Sequence, residues 1–342
     1  VALSSNQLLD KIRVALNARG PSSKESACRI FDSVGDGVAN LSIDRYETLL
    51  IAHILETDRN VSADLSLQLA EIGAELLTLT NTSALYEYRH TGEEGAKKAS
   101  QATLIAGYAC LATTVIESDL RFLIRPAAQC NVGLFLDTQP LRAWLRTLKL
   151  AGRVLNCFAY TGTLGIAAAA AGAQEIIQLD ASRQALEWAK ENATLNQELF
   201  IQSGRAPPNF RYIREHVQSF CEKELRRIAS ATSARTAYEL IIIDAPTYGR
   251  AKEGDFQIER DLPTLIDLAL ALLKADGIFV LSCNFRRLTP AALWLEIQNV
   301  AKEHGFRCRK LMEIVPDPIQ FSSAYDQVSH VRGVIVKKEP NL

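Results

Sequence analysis

The sequence predicts an α/β protein: a mostly parallel, seven-stranded sheet covered by helices, preceded by a small α+β domain. Three observations carry that expectation. From Arg153 onward, short apolar runs alternate with amphipathic stretches of helical length, the pattern of a parallel sheet covered on both faces. Before about residue 130 the apolar runs are short and separated by turn-forming residues, as in a strand meander with a helix. The chain has 342 residues, 48% hydrophobic and 23% charged, which is globular composition at a length that suggests two domains.

The N-terminal part begins with Leu8, Leu9, Ile12, Ala15 and Leu16 at helical spacing within Asn6–Arg19, stopped by Gly20-Pro21. This helix and the polar run after it are read as a separate segment, residues 1–27. Cys28–Phe31, Leu41–Ile43 and Thr48–Leu55 then read as strands, punctuated by Gly35-Asp36-Gly37 and Asn40. Leu65–Leu79 returns to helical spacing, and Ser83–Tyr88 and Leu120–Arg125 are strand-like. Residues 28–130 therefore form the expected small α+β domain, and 131–342 the second domain.

In the second domain, strand Arg153–Cys157 leads into the Ala-rich helix Leu164–Ala171, and Glu175–Leu179 into helix Ser182–Asn196. Arg211–Ile213 precedes a helix near Val217–Ala231. Glu239–Asp244 is followed by a loop and helix Asp261–Leu273. Gly277–Cys283 leads into helix Pro290–His304, and Phe306–Ile314 with Val328–Val336 can close the sheet as an antiparallel edge hairpin.

Composition excludes several classes of function. No window approaches 18 apolar residues, so no membrane-spanning helix is expected. The first residues carry neither a basic stretch nor an apolar core of a secretory signal, so the expected location is cytoplasmic. Seven cysteines, none in a Cys-x-x-Cys pair, and five scattered histidines point to neither a zinc site nor a disulfide framework. A net charge of −1 argues against coating nucleic acid by bulk electrostatics. Its distribution is uneven: residues 1–130 hold 12 basic and 16 acidic side chains, and 131–342 hold 26 and 23.

Ligands of an open α/β sheet bind beyond the carboxyl ends of its strands, near the point where strand order reverses. The first such end reads Asn156-Cys157-Phe158-Ala159-Tyr160-Thr161-Gly162, a glycine turn that lets backbone approach a ligand. The second ends at Asp180, 18 residues beyond Gly162, where a carboxylate can accept both hydroxyls of a ribose. Together they suit NAD or S-adenosylmethionine, and the lack of Gly-x-Gly-x-x-Gly weighs against the dinucleotide. The fourth strand ends in Asp244-Ala245-Pro246-Thr247-Tyr248. Its carboxylate can bond a base edge and its aromatic tip can stack on the base, although a helix cap and a packed Tyr have the same residues. The fifth ends in Ser282-Cys283-Asn284. A lone Cys on an apolar strand is by composition a packing residue.

Taken in order, these segments resemble the class I S-adenosylmethionine-dependent RNA methyltransferases of the RlmI/YccW type, which modify large-subunit ribosomal RNA. The resemblance covers roughly residues 28–337. It rests on Arg29-Ile30-Phe31, Gly35-Asp36-Gly37, Leu41–Tyr46, Leu85–Arg89, Gly133–Asp137, Val154–Gly162, Asp244–Tyr248 and Ser282–Asn284. The opening and the Val154–Gly162 segment are the specific matches.

The resemblance implies a Rossmann-like methyltransferase domain with S-adenosylmethionine as cofactor. It implies that Asn156, Phe158, Tyr160, Thr161, Gly162 and Asp180 hold the methionine and ribose parts, approached by Phe135 and Asp137. His216 stands where members carry an Asp that accepts the adenine amino group. Asp244 and Pro246, with Tyr248, would face the target base. Cys283 takes the position of the nucleophile that attacks cytosine C6, with neutral Asp244 protonating N3. Residues 1–27 are too short for the PUA-type RNA-binding domain of many members, so RNA capture is expected to fall to the small domain and to Arg250, Lys252, Arg286 and Arg287.

The leading expectation is therefore cytosine-C5 methylation in ribosomal RNA, with no metal, no membrane association and a monomeric or homodimeric state. Methylation of a base nitrogen, such as guanine N7, needs no cysteine nucleophile and is the alternative. Binding of cofactor or RNA without turnover is the third reading.

Overall fold

The computed structural model describes all residues except 1–2, 21–25, 57–58, 92–97, 100–101, 128–130, 203, 205, 231–236, 252–253, 323–329 and 341–342. The chain divides into two compact units: Val1–Asp137 with Pro316–Val328, and Thr138–Val315 with Ser329–Leu342.

The first unit opens with helix α1 (Ser5–Arg19). The Ser4 hydroxyl accepts from the Gln7 amide while the Gln7 side chain accepts from the Ser4 amide, a reciprocal cap worth about 1 kcal/mol. Leu8, Leu9, Ile12 and Ala15 join one core with residues from the strands that follow, so α1 belongs to this unit. The expected separate segment 1–27 is thus corrected: one apolar stripe of a helix needs a partner face, and the nearest strands supply it.

Strands β1 (Ala27–Asp32), β2 (Leu41–Tyr46) and β3 (Leu49–Leu55) form an antiparallel meander. Helix α2 (Arg59–Thr80) then crosses over so that β4 (Ala84–Thr91) lies parallel to β3. Strands β5 (Lys98–Ala99) and β6 (Thr103–Gly107) both pair with β4, and β7 (Thr113–Glu117) pairs with β8 (Leu120–Ile124). The returning stretch at 316–322 is tied in through Gln320, whose side-chain oxygen accepts from the Arg29 amide and whose carbonyl accepts from Arg19.

The second unit starts with α3 (Gln139–Arg146), whose buried Arg142 donates to the Thr138 hydroxyl at 2.6 Å. It continues through β9 (Arg153–Cys157), α4 (Thr163–Ala170), β10 (Glu175–Asp180), α5 (Arg183–Leu195), α6 (Gln197–Gln202), β11 (Asn209–Arg214) and α7 (Val217–Ser230). Then come β12 (Tyr238–Ala245), a hairpin of β13 (Tyr248–Ala251) and β14 (Gly254–Gln257), α8 (Ile258–Leu272) and β15 (Leu273–Cys283). Helix α9 (Pro290–Glu303), β16 (Arg307–Ile314) and β17 (Arg332–Glu339) complete it.

The seven-stranded sheet has the order β11-β10-β9-β12-β15-β17-β16. Its first five strands are parallel and β17 runs antiparallel to both of its neighbours, as the sequence predicts. Steps from β9 go outward in one direction and steps from β12 in the other. Right-handed crossovers therefore place α4 and α5 on one face and α7 and α8 on the opposite one. Burial on both faces explains the unbroken Leu240–Ile243 run of β12, fully buried beside Val154 and Leu155 of β9. Strand order reverses between β9 and β12, so the crevice at their carboxyl ends is where this architecture binds ligands. No described helix is long and apolar enough to cross a membrane.

Candidate active site

The turn after β9 achieves its shape without a glycine-rich fingerprint. Phe158, Tyr160 and Gly162 all have left-handed backbone, with φ of 54°, 49° and 78°. Two of these are non-glycine residues, each costing about 1–2 kcal/mol, and such backbone persists only when its surroundings over-determine it. The restraints are specific. The Ala159 amide donates to the Leu179 carbonyl at 3.0 Å, and the Tyr160 amide to Asp180 Oδ2 at 2.8 Å. Asn192 Nδ2 donates to the Thr161 carbonyl at 2.9 Å, and Gln178 Nε2 to the Gly162 carbonyl at 3.1 Å. The ring of Tyr160 lies 6.3 Å from that of buried Trp188, and the ring of Phe158 lies 5.0 Å from that of Phe256 on β14.

Asp180 ends β10 with Oδ2 accepting from the Tyr160 amide and Oδ1 from the Ser182 amide, both at 2.8 Å. Ser182 also caps α5 through the Ala185 amide. Burial pushes the Asp180 carboxyl above its ordinary range, while these backbone N–H groups pull it back down. A carboxylate has about four acceptor sites, so the group retains capacity for a diol. Behind the turn, Asn156 Nδ2 donates to Gln178 Oε1 at 2.8 Å, and the buried Asn156 Oδ1 has no hydrogen-bond partner.

Gln178, Asn192 and Asn196 are support residues that the sequence reading missed. The signal was there: Gln178 and Asn156 are buried polar residues inside apolar strands, the informative kind of exception. Gln178 fits only because its neighbours are glycines. A Cβ on Gly165 would stand 2.4 Å from Gln178 Nε2, and one on Gly162 would stand 2.8 Å from it. Gly165→Ala, ordinarily stabilising inside a helix, is therefore expected to cost about 1–3 kcal/mol here. Denaturant unfolding checks this; a variant as stable as the parent contradicts the packing described.

Asp244 stands at the carboxyl end of β12, directly across from Ser282 of β15 in the parallel register, with Ala245 across from Cys283. The Ser282 hydroxyl donates to Asp244 Oδ1 at 2.6 Å. One step further out, the Thr247 hydroxyl donates to Asn284 Oδ1 at 3.1 Å, joining the two loops. Pro246 is half-buried, and Tyr248 begins the hairpin with its hydroxyl on Asp255. That hairpin replaces the loop expected between Asp244 and Asp261; its strands are too short and polar to show a period-two pattern.

Cys283 is only 1% exposed and belongs to the apolar core with Phe279, Leu281 and Phe285. Burial pushes its thiol up to about 11 against the downward pull of the Phe285 amide, with a smaller push from the Asp244 charge and a smaller pull from Arg332. Burial of this kind is common to packing cysteines, and it weighs against the expected role as nucleophile.

His216 is half-buried immediately before α7. Phe135 is exposed and Asp137 half-buried at the end of the first unit's main segment, outside any helix or strand. Arg286 and Arg287 are exposed, the latter 5.8 Å from the Phe285 ring. Arg250 lies on β13, and Lys252 falls outside the described residues. No grouping of His, Cys, Asp and Glu among the described residues could hold a metal ion.

Comparison with known proteins places this geometry. A family model described as S-adenosylmethionine-dependent methyltransferase matches residues 40–321. A protein of Hahella chejuensis named ribosomal RNA large subunit methyltransferase K/L is 35% identical over 176 residues, 51% of this chain and 22% of that protein. Its namesake in Syntrophotalea carbinolica is 34% identical over 191 residues, 54% of this chain and 24% of that one. The chain thus matches about a fifth to a quarter of the length of these relatives. Among solved structures, a Streptococcus mutans protein described as a SAM-dependent methyltransferase superposes with a TM-score of 0.78 at 19% identity, over 98% of this chain and 82% of that one. A SAM-dependent methyltransferase from Agrobacterium tumefaciens gives 0.62 at 23%, over 92% and 90%. The fold is accordingly the Rossmann-like methyltransferase fold, and the chain belongs to the S-adenosylmethionine-dependent methyltransferase family, with S-adenosylmethionine as its cofactor.

Proposed function

We propose that this protein methylates a base nitrogen in ribosomal RNA. The substrate class follows the names of the relatives, which share half of this chain. One observation supports the choice of acceptor atom: Asp244 is held by the Ser282 hydroxyl beside a buried Cys283.

The residues present fit the cofactor. Asp180 takes the ribose hydroxyls on acceptor sites not used by the Tyr160 and Ser182 amides. The left-handed Phe158–Gly162 turn brings backbone within reach of the methionine part, with Thr161 fixed through Asn192. The unpartnered Asn156 Oδ1 supplies an acceptor at the base of the turn. His216, just beyond the carboxyl end of β11, meets the adenine edge as the family resemblance implies. When bound, S-adenosylmethionine supplies a methyl group on a cationic sulfur, which a nitrogen lone pair takes with release of S-adenosylhomocysteine. Asp244 accepts a hydrogen bond from an N–H of the target base, Pro246 stiffens its loop, and Tyr248 offers a ring to the base face. A nitrogen acceptor has its own lone pair, so no covalent help from a thiol is needed.

Cytosine-C5 methylation would require both a thiolate at Cys283 and a neutral, donating Asp244. Burial opposes the first, and Asp244 accepting from the Ser282 hydroxyl, rather than donating, speaks against the second. Cys283→Ala is therefore expected to retain methyl transfer within about threefold of the parent. No covalent adduct is expected with 5-fluorocytidine RNA. A trapped adduct that Cys283→Ala abolishes, together with loss of transfer, would overturn the nitrogen reading in favour of C5.

A further inference from the structure

We propose that Ser282 is a positioning residue for the transfer reaction, holding Asp244 as a hydrogen-bond acceptor so that the site selects a base presenting an N–H donor. The inference rests on the functional reading above and deepens it by naming the hydrogen-bonding character of the substrate.

Ser282 is fully buried, and its strand places it directly opposite Asp244. The buried hydroxyl must find a partner or carry a desolvation cost, and it finds Asp244 Oδ1 at 2.6 Å, the length of a charge-assisted bond. Two consequences follow for Asp244. One oxygen is anchored against β15, which fixes the plane of the carboxylate at the mouth of the crevice. The bond also makes the carboxyl an acceptor, the character in which it faces a ligand. The backbone beside Ser282 leaves no slack: Gly333 of β17 lies so close that a Cβ there would stand 2.8 Å from the Ser282 Cα. The loops beyond are held by the bond from Thr247 to Asn284. Asp244 is thus aimed by strand register, by a buried hydroxyl and by a stitched loop pair. A group that aims another belongs to the supporting structure of a site whose precision sets its rate.

The test is single-turnover and steady-state methyl transfer to ribosomal RNA by the full chain, comparing the parent with Ser282→Ala and Ser282→Thr. Ser282→Ala removes only an oxygen and is expected to lower kcat about tenfold, with the Kd for S-adenosylmethionine within about twofold of the parent. Ser282→Thr keeps the hydroxyl and is expected to recover most of the rate; if its added methyl disturbs the fold, a weakened cofactor Kd reveals it and the Ser282→Ala result decides. A kcat for Ser282→Ala equal to the parent's overturns the proposal. So does a loss of cofactor binding parallel to the loss of rate, which would mark Ser282 as merely structural. Parent protein that binds cofactor but transfers no methyl group overturns the functional reading and this inference with it. Active parent with an indifferent Ser282→Ala overturns the inference alone.

Discussion

Asp180→Ala is expected to weaken S-adenosylmethionine binding by at least about a hundredfold. The carboxylate does two things that alanine cannot. It holds the left-handed Tyr160 through that residue's amide, and it engages the Ser182 amide that begins the next helix. It also offers the acceptor sites assigned to the ribose. Hydrogen bonds to a charged group contribute roughly 1.5–3 kcal/mol each, so losing two of them accounts for two to four orders of magnitude. Asp180→Asn keeps one acceptor and is expected to fall between. Burial raises the Asp180 carboxyl above its ordinary value, so affinity should begin to fall on acidification earlier than for an exposed Asp. Calorimetric titration measures all three variants; an Asp180→Ala affinity within threefold of the parent contradicts the assignment.

The other large effect lies in the first unit. Arg29 is largely buried and pairs with Asp44 through Nε at 2.8 Å and Nη2 at 3.2 Å, and with Asp32 at 2.9 Å. His53 Nε2 lies 3.3 Å from Asp44 Oδ2, which Arg29 Nη2 also engages, and its Nδ1 meets His90 Nε2 at 3.0 Å. Burial alone would raise the Asp44 carboxyl, yet the Arg29 charge and hydrogen bonds bring it down to about 2. Asp44→Ala removes the two-point partner of a buried guanidinium and leaves Asp32 as its carboxylate, and removing one partner of a buried pair costs up to about 3–5 kcal/mol.

The pH dependence follows from the depressed value. The contribution of Asp44 is complete above its unfolded value of about 3.9 and is lost as pH falls through about 2. Hydrogen exchange of the β1–β3 amides in the full chain is expected to show that loss in the parent and its absence in Asp44→Asn. A destabilisation by Asp44→Ala below 1 kcal/mol would show that the pair does not hold this unit together.

The parallel sheet was legible because strands buried on both faces must be written as continuous apolar runs, and glycine and proline mark their ends. The N-terminal half was harder to read. The β6 strand is exposed or half-buried along its length, so Thr103–Gly107 lacks the alternation that signals a half-buried strand. The first turn of α2 is polar at Asn60, Ser62 and Asp64, which hid the helix start six residues before the apolar spacing begins. Helix α3 is short and carries Pro140 at its start, which reads as a break although proline suits a first turn.

At the site, Asp180, Asp244 and the Gly162 turn were readable from their places after strands. The left-handed backbone of Phe158 and Tyr160 was not, because it is imposed by Gln178, Asn192 and Asp180 from other elements. For Cys283 the apolar strand suggested packing and the family resemblance a nucleophile, and the packing of β15 against its neighbours shows that the thiol is buried.

The central claim is that a base nitrogen of ribosomal RNA receives the methyl group, and nucleoside analysis tests it most directly. The measurement is transfer of labelled methyl from S-adenosylmethionine to ribosomal RNA from cells lacking the gene, followed by digestion and separation of nucleosides. Label in a nucleoside methylated on a base nitrogen is the result expected. Label in 5-methylcytidine, or no label while the protein binds its cofactor, would contradict it.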